Sequence, residues 1–447
     1  MGNLEQTYSN RRIKLLEKMN EGVAIIPSNE LHTRSNDTEH PFRQNSNFYY
    51  FTGFLETNSV LVLVKKAEKT EQILFLEDKV PEMELWTGKR LGPDAALSLM
   101  NIDKSHSIND FEKIMPEIIT GSKSLYINGF ELNKTTKAVF NITNRLWKSR
   151  KKSSHLPTQV YHLDYLTEEM RLIKEPYEIE MMKEAVKKTV VGHKVAMAKT
   201  KPGLNERDIH AVMDYTFKMD MGEGPAYGMI VAGGNNANVL HYIENNAPLN
   251  DGELILIDAG AEHKLYASDV TRTFPINGKF SDIQAKVYNE VLKSQELVIN
   301  SAKPGMTLSE LHKIASLSLT ESLIELGVLS GDPNELYENG DHKKYYPHGT
   351  GHWLGLDVHD QCPYLDDQCN DIKLKENMVF TVEPGLYFPS EDESLPKELR
   401  GIGIRIEDDI LITKNGNENL TAEIPKTIQE IEKQCKENYL NILEKGI

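Results

Sequence analysis

The chain has 447 residues, 39% of them apolar and 26% charged, and 51 basic against 67 acidic side chains leave a net charge of −16 at pH 7. That is roughly three times the ~150 residues of an average domain, enough for two domains, and too apolar a composition for a disordered chain. The acidic balance repels a phosphate backbone and excludes nucleic acid as an expected partner, and no apolar run approaches the ~20 residues of a membrane span.

The start, Met1-Gly2-Asn3-Leu4-Glu5-Gln6, lacks the apolar core of a signal peptide, and Gln6 stands where a myristoylation site needs Ser or Thr. The runs at 23–26, 59–64 and 72–76 predict buried strands. Aromatic Phe48-Tyr49-Tyr50-Phe51, closed by Gly53, predicts a packed strand end. The lysine cluster at 148–152 predicts a solvated turn or linker. At Ile173-Lys174-Glu175-Pro176 the texture changes. Pro176 suits a first helical turn, and Ile179, Met182, Ala185, Val186, Thr189, Val190 and His193 follow at helical spacing. We therefore expect a smaller α/β domain over 1–172 and a second domain over 173–447. In the second, Lys201-Pro202-Gly203 and Lys303-Pro304-Gly305 each sit between amphipathic helices, and Thr307 with Glu310 forms a capping-box pattern. Strands are expected at 254–258, 265–274, 378–382 and 402–412. Two αβ halves around one curved antiparallel sheet account for the echo. Cys362, Cys369 and Cys435, odd in number and without metal-site spacing, predict free thiols in a reducing cytoplasm.

Acids interrupt strands that are otherwise apolar. Leu254-Ile255-Leu256-Ile257 ends in Asp258, and Met378-Val379-Phe380-Thr381-Val382 ends in Glu383, with Pro384-Gly385 directly after. Asp269 follows Asp258 at a distance that suits two adjacent hairpin strands. Between 401 and 409, alternation puts Gly403, Arg405 and Glu407 on one face and Ile402, Ile404 and Ile406 on the other. A buried carboxylate costs several kcal/mol unless it is paired or bound to a metal. One such acid is usually a salt-bridge partner. Four in the strands of one domain match two divalent cations, whose combined charge equals theirs. Carboxylate-rich ligation favours a hard metal such as manganese over a thiolate-type zinc site.

Histidines accompany the acids. His348 and His352 lie four apart in Tyr346-Pro347-His348-Gly349-Thr350-Gly351-His352, but the glycines argue against a helix and the Glu of the helical zinc motif is absent. We read His352 as a ligand and His348 as a pocket residue. His359 and His241 add further imidazoles.

The series Asp258, Asp269, His352, Glu383, Glu407 resembles the five-ligand signature of the pita-bread metallopeptidases, which include methionine aminopeptidase, prolidase and aminopeptidase P. The segments 348–360, 382–387, 400–409 and 417–421 are similar to bacterial aminopeptidase P, as are 42–54 and 86–92 in the first domain. Gln361-Cys362 departs from the family wording at the rim of the pocket without touching a ligand.

The resemblance implies a C-terminal pita-bread catalytic domain behind a smaller α/β N-terminal domain. Its activity would be that of a dinuclear aminopeptidase releasing the first residue from peptides with proline second, through a metal-bridging hydroxide. Asp258 would chelate one metal, His352 and Glu383 the other, with Asp269 and Glu407 bridging. Manganese is the expected metal, cobalt or zinc the substitutes. Glu383 would be the general base. His241, His348 or His359 would polarise the carbonyl, Tyr387 would join the histidines around the proline ring, and Arg405 would orient carboxylates or substrate. A homo-oligomer, dimer or tetramer, is expected, with 36–43 and 84–90 at its interface and Asp37 or Trp86 near a neighbour's active-site mouth. The alternatives are a prolidase restricted to dipeptides and a metal-free peptide-binding or chaperone module on the same fold.

Overall fold

The computed structural model describes residues 2–67, 69–128, 133–149 and 155–446. The chain divides into two compact units, Met1–Met170 and Arg171–Ile447. The basic cluster at 148–152 falls largely outside the described residues.

A mixed six-stranded sheet organises the first unit. Its centre is Gly22–Pro27, antiparallel to Val60–Lys66 on one side and parallel to Ser124–Ile127 on the other. Val23, Ile25, Val62, Ile73 and Phe75 pack there against Phe111, Met115 and Ile142 from helices. The aromatic run at 48–51 is not a strand end. It lies in the helix Ser46–Thr52, all of whose residues are buried. Asn45 caps that helix by accepting from the Phe48 N–H, and Gly53 closes it at φ +63°. A Cβ on Gly53 would stand 2.2 Å from the Tyr8 ring, so only glycine fits. A short helix buried on every side shows no period of its own, which is why it reads like a buried strand.

The second unit wraps helices around short, entirely antiparallel ladders. The helix Pro176–Lys199 begins at a capping box and buries Met182, Val186, Val190 and His193. Each Lys-Pro-Gly turn places its glycine in the left-handed region, Gly203 at φ +86° and Gly305 at φ +93°. A capping box follows each turn, Asn205 with Asp208 and Thr307 with Glu310, so the two halves repeat in structure as well as in wording.

The expected single sheet is broken into separate ladders. Leu254–Asp258 lies between Ile230–Gly233 and Thr271–Pro275, Val379–Val382 pairs with Asp408–Ile412, and Gly385–Phe388 pairs with Ile402–Arg405. The strand expected over 265–274 splits into Tyr266–Ala267 and Thr271–Pro275, and that over 402–412 splits between Arg405 and Asp408. The breaks fall at Asp269 and Glu407, where the backbone leaves one ladder and bonds to another: the Glu407 N–H donates to the Thr271 carbonyl at 3.0 Å. Among the described residues no helix is long and apolar enough to cross a membrane.

Candidate metal centre

Four acids reach one place from different strands. Asp258 ends its strand opposite Thr271, which brings Asp269, just before Thr271, to the same level. The approach needs Gly260, where a Cβ would lie 1.7 Å from the Ser268 carbonyl oxygen. Glu383 follows the strand Val379–Val382, its N–H donating to the Thr350 carbonyl at 2.8 Å. Glu407 enters between two strands, and its Oε2 accepts from the Thr271 hydroxyl at 2.6 Å.

His352 sits on an extended strap whose N–H donates to Thr381 Oγ1. Its Nδ1 lies 3.1 Å from the Trp353 carbonyl, an acceptor that places the proton on that nitrogen. Nε2 is left facing Asp269 at 3.4 Å and Glu383 at 3.8 Å. Donor atoms of Asp269, His352 and Glu407 lie within 4.8 Å of one another.

These side chains line a cavity of about 590 Å³ together with His241, His348, His359, Arg405 and Tyr227. Tyr387 stands behind this wall, linking Arg405 Nη1 at 3.0 Å to His348 Nε2 at 2.8 Å. His348 Nδ1 lies 2.8 Å from the Gly349 carbonyl. Both nitrogens of His348 are thus engaged, and what it presents to the cavity is its ring. His359 packs on His352 with centroids 4.2 Å apart. Neither His359 nor His241 makes a hydrogen bond through its ring among the described residues, so both keep donors available.

Sequence reasoning missed Tyr227. Its hydroxyl lies 2.6 Å from Asp258 Oδ1 and 2.5 Å from Asp269 Oδ1, yet one O–H carries one proton and cannot donate to both. Nothing in Gly224-Pro225-Ala226-Tyr227-Gly228 beyond a turn signal marks it.

The charges are equally out of balance. Burial pushes the Glu383 carboxyl up to about 7 against the pull of His352 and Arg405. Burial and then the neighbouring carboxylates hold Glu407 well above the usual range. Asp258 is raised by burial despite Arg405 Nη2 at 2.5 Å. Burial lowers His352, but the hydrogen bond and charge of Asp269 carry it to about 9. Two hydroxyl contacts with one proton, and four acids facing one guanidinium and one imidazole, are the marks of a site built for added positive charge. The donor set of carboxylate oxygens and one imidazole suits divalent cations.

Residues 180–414 match the model of metallopeptidase family M24, and residues 8–126 that of the aminopeptidase P N-terminal domain. The Xaa-Pro aminopeptidase of Haemophilus influenzae is 39% identical over 96% of this chain and 96% of its own. Human Xaa-Pro aminopeptidase 3 is 33% identical over 96% of this chain and 86% of its own. The structure of Escherichia coli aminopeptidase P with the inhibitor Pro-Leu superposes with a TM-score of 0.92 at 39% identity, covering 96% of this chain and 98% of that one. With both family models matched in order along one mixed α/β chain, this protein belongs to the M24 metallopeptidases, in their aminopeptidase P branch, and is a peptide-hydrolysing enzyme with a pita-bread catalytic domain.

Proposed function

We propose that this protein releases the amino-terminal residue from peptides whose second residue is proline, longer peptides included. Proline removes the backbone N–H and fixes φ, so such a bond cannot enter a cleft that reads extended backbone. A cavity walled by the rings of His241, His348 and His359, with Tyr387 bracing His348, suits a pyrrolidine instead.

In this reading Asp258, Asp269, His352, Glu383 and Glu407, which line one cavity, would hold two divalent cations. Two cations there, manganese the best match with cobalt or zinc as substitutes, supply a water acidified toward ~7 and a polarised carbonyl. The chain's own groups do the rest. Glu383 takes a proton as general base. His241 and His359 supply N–H donors where negative charge develops on the carbonyl oxygen. Arg405 fixes Asp258 and, through Tyr387, the His348 ring.

The observation that carries this reading is the convergence of four carboxylates and His352 in one cavity of a chain 39% identical to an Xaa-Pro aminopeptidase. The test is a panel of Xaa-Pro-Xaa tripeptides and Xaa-Pro dipeptides, assayed after chelation and again with manganese. Tripeptide cleavage that chelation abolishes and manganese restores is expected. Cleavage confined to dipeptides would make the protein a prolidase, and binding without cleavage would make it a peptide-binding module. The proposal extends to a catalytic domain over 173–447 behind an amino-terminal domain over 1–172, to cytoplasmic location, and to a homo-oligomer, dimer or tetramer, with Asp37 or Trp86 at its interface.

A further inference from the structure

The strap that carries His348 and His352 runs between two cavities. Gly349 and Gly351 line the catalytic cavity on one side and, on the other, a second cavity of about 370 Å³ bounded by His312 and Tyr337. A Cβ on Gly349 would meet nothing nearer than 3.9 Å, so packing alone does not fix the backbone there. Gly351 cannot carry a side chain, because a Cβ would lie 1.8 Å from the Thr381 carbonyl oxygen. From His352 onward the strap bonds to the strand Val379–Val382, the Thr381 N–H donating to the His352 carbonyl at 2.9 Å and the Leu354 N–H to the Val379 carbonyl at 3.1 Å, while the residue between the glycines is held through its side chain as well.

Thr350 is buried, with its hydroxyl 2.8 Å from His312 Nδ1 and 2.6 Å from the Tyr346 hydroxyl. His312 lies on the helix Leu308–Glu325, and its Nε2 is 3.4 Å from Ser316 Oγ. One proton order serves every group. Tyr346 donates to Thr350, Thr350 donates to His312 Nδ1, and His312 Nε2–H donates to Ser316. The reverse order leaves the Tyr346 proton without an acceptor. The order requires a neutral imidazole, as burial favours. From Thr350 the connection runs to the chemistry in two directions. Its carbonyl accepts the Glu383 N–H at 2.8 Å, and the next residue but one is His352.

We propose that His312 is a positioning residue for the catalytic centre, acting through the Thr350 hydroxyl to fix the strap on which His352 and the backbone of Glu383 both depend. This rests on the reading of those two residues as metal ligands. Partners behind a ligand are commonly worth about 10–100-fold in metal affinity or activity. The variants are His312→Ala, His312→Asn, which keeps a hydrogen-bonding group near the Nδ1 position, Thr350→Val, which keeps volume but loses the hydroxyl, Thr350→Ser, and the double His312→Ala/Thr350→Val. Chelator-stripped protein is titrated with manganese by calorimetry, and kcat and KM are measured on an Xaa-Pro tripeptide.

The expected result is a loss of about 10–100-fold in manganese affinity and in kcat for His312→Ala and Thr350→Val, with KM little changed. Most of it should return in His312→Asn and Thr350→Ser, and the double variant should be no worse than either single, because both break one link. Wild-type affinity and kcat in either single would overturn the proposal, as would additive losses or a fall in melting temperature that His312→Asn does not rescue. Should His312→Ala fail to fold, Thr350→Val alone decides the matter. A wild-type protein that binds manganese but cleaves no tripeptide would refute the functional reading, while the calorimetry still tests the role of His312.

Discussion

At Glu383, glutamine would keep the side chain's size and part of its capacity to hold a cation while removing the group that accepts a proton. The kcat of Glu383→Gln is expected to fall by ~10²-fold or more, the scale of a lost general base. Metal content is measured on the same samples, and near-normal kcat with full metal would remove Glu383 from that role. Asp269→Ala and Glu407→Ala test a different property. Each acid is proposed to serve both cations, so either change should lower manganese stoichiometry and activity together, and full activity in either would end the dinuclear reading. Single residues were legible from sequence where they broke a pattern. Asp258 and Glu383 stand out because a carboxylate closing an apolar run has no cheap explanation. Tyr227 does not stand out, since a tyrosine between glycines in a turn breaks no pattern, and its role appears only when two distant acids meet at its hydroxyl. His348 was legible as a pocket residue, but that both its nitrogens are engaged depends on Tyr387 and on its own backbone direction.

Among the elements, the loop carrying His359 is tied down just before the helix Pro176–Lys199. Asp360 is buried against Lys174 Nζ at 2.9 Å and against Arg171, which also reaches Asp357 at 2.6 Å. Burial pushes the Asp360 carboxyl up, and the charges of Arg171 and Lys174 more than reverse this, holding it at about 2. Asp360→Asn would take the carboxylate from buried Lys174 and leave Arg171 to Asp357, and is expected to cost about 3–5 kcal/mol in urea unfolding. The sign of the pH dependence follows from a depressed carboxyl. The wild-type advantage over Asp360→Asn is full above roughly pH 5 and shrinks as pH falls from about 4 toward 2. An advantage that does not change across that window would show that Asp360 is not the titrating partner. The elements themselves were legible wherever local chemistry decides them, as with the caps at Asn205 and Thr307. They were not where tertiary structure decides. The breaks at Asp269 and Glu407 come from strands changing partners, and the helix Ser46–Thr52 is enclosed by apolar neighbours that no local window contains.

For the whole molecule, the acidic charge and one exposed helix bear on assembly. Copies of a chain at −16 repel one another, so association has to come from a local apolar contact that outweighs this field. The helix Pro81–Thr87 offers one. None of its residues is buried, and Leu85 and Trp86 are each 83% exposed, with Met83 beside them at 44%. Three large apolar side chains on one short helix make the kind of patch that marks contacts, and tryptophan is the residue whose truncation costs most at such contacts, commonly ≥ ~2 kcal/mol. A closed symmetric assembly is the geometry expected of a self-complementary patch. Sedimentation of the full chain should therefore show a dimer or tetramer, and Trp86→Ala should shift the equilibrium toward monomer by about 30-fold or more, the factor that ~2 kcal/mol represents. Added salt should strengthen the wild-type assembly, because screening weakens the repulsion between acidic copies and leaves apolar burial in place. Tripeptide kinetics on the same samples separate assembly from chemistry. If Trp86 lies near a neighbour's active-site mouth, its removal changes KM for tripeptides more than kcat. A monomeric wild-type protein with full tripeptide activity would end the interface reading and leave Trp86 as an exposed side chain alone.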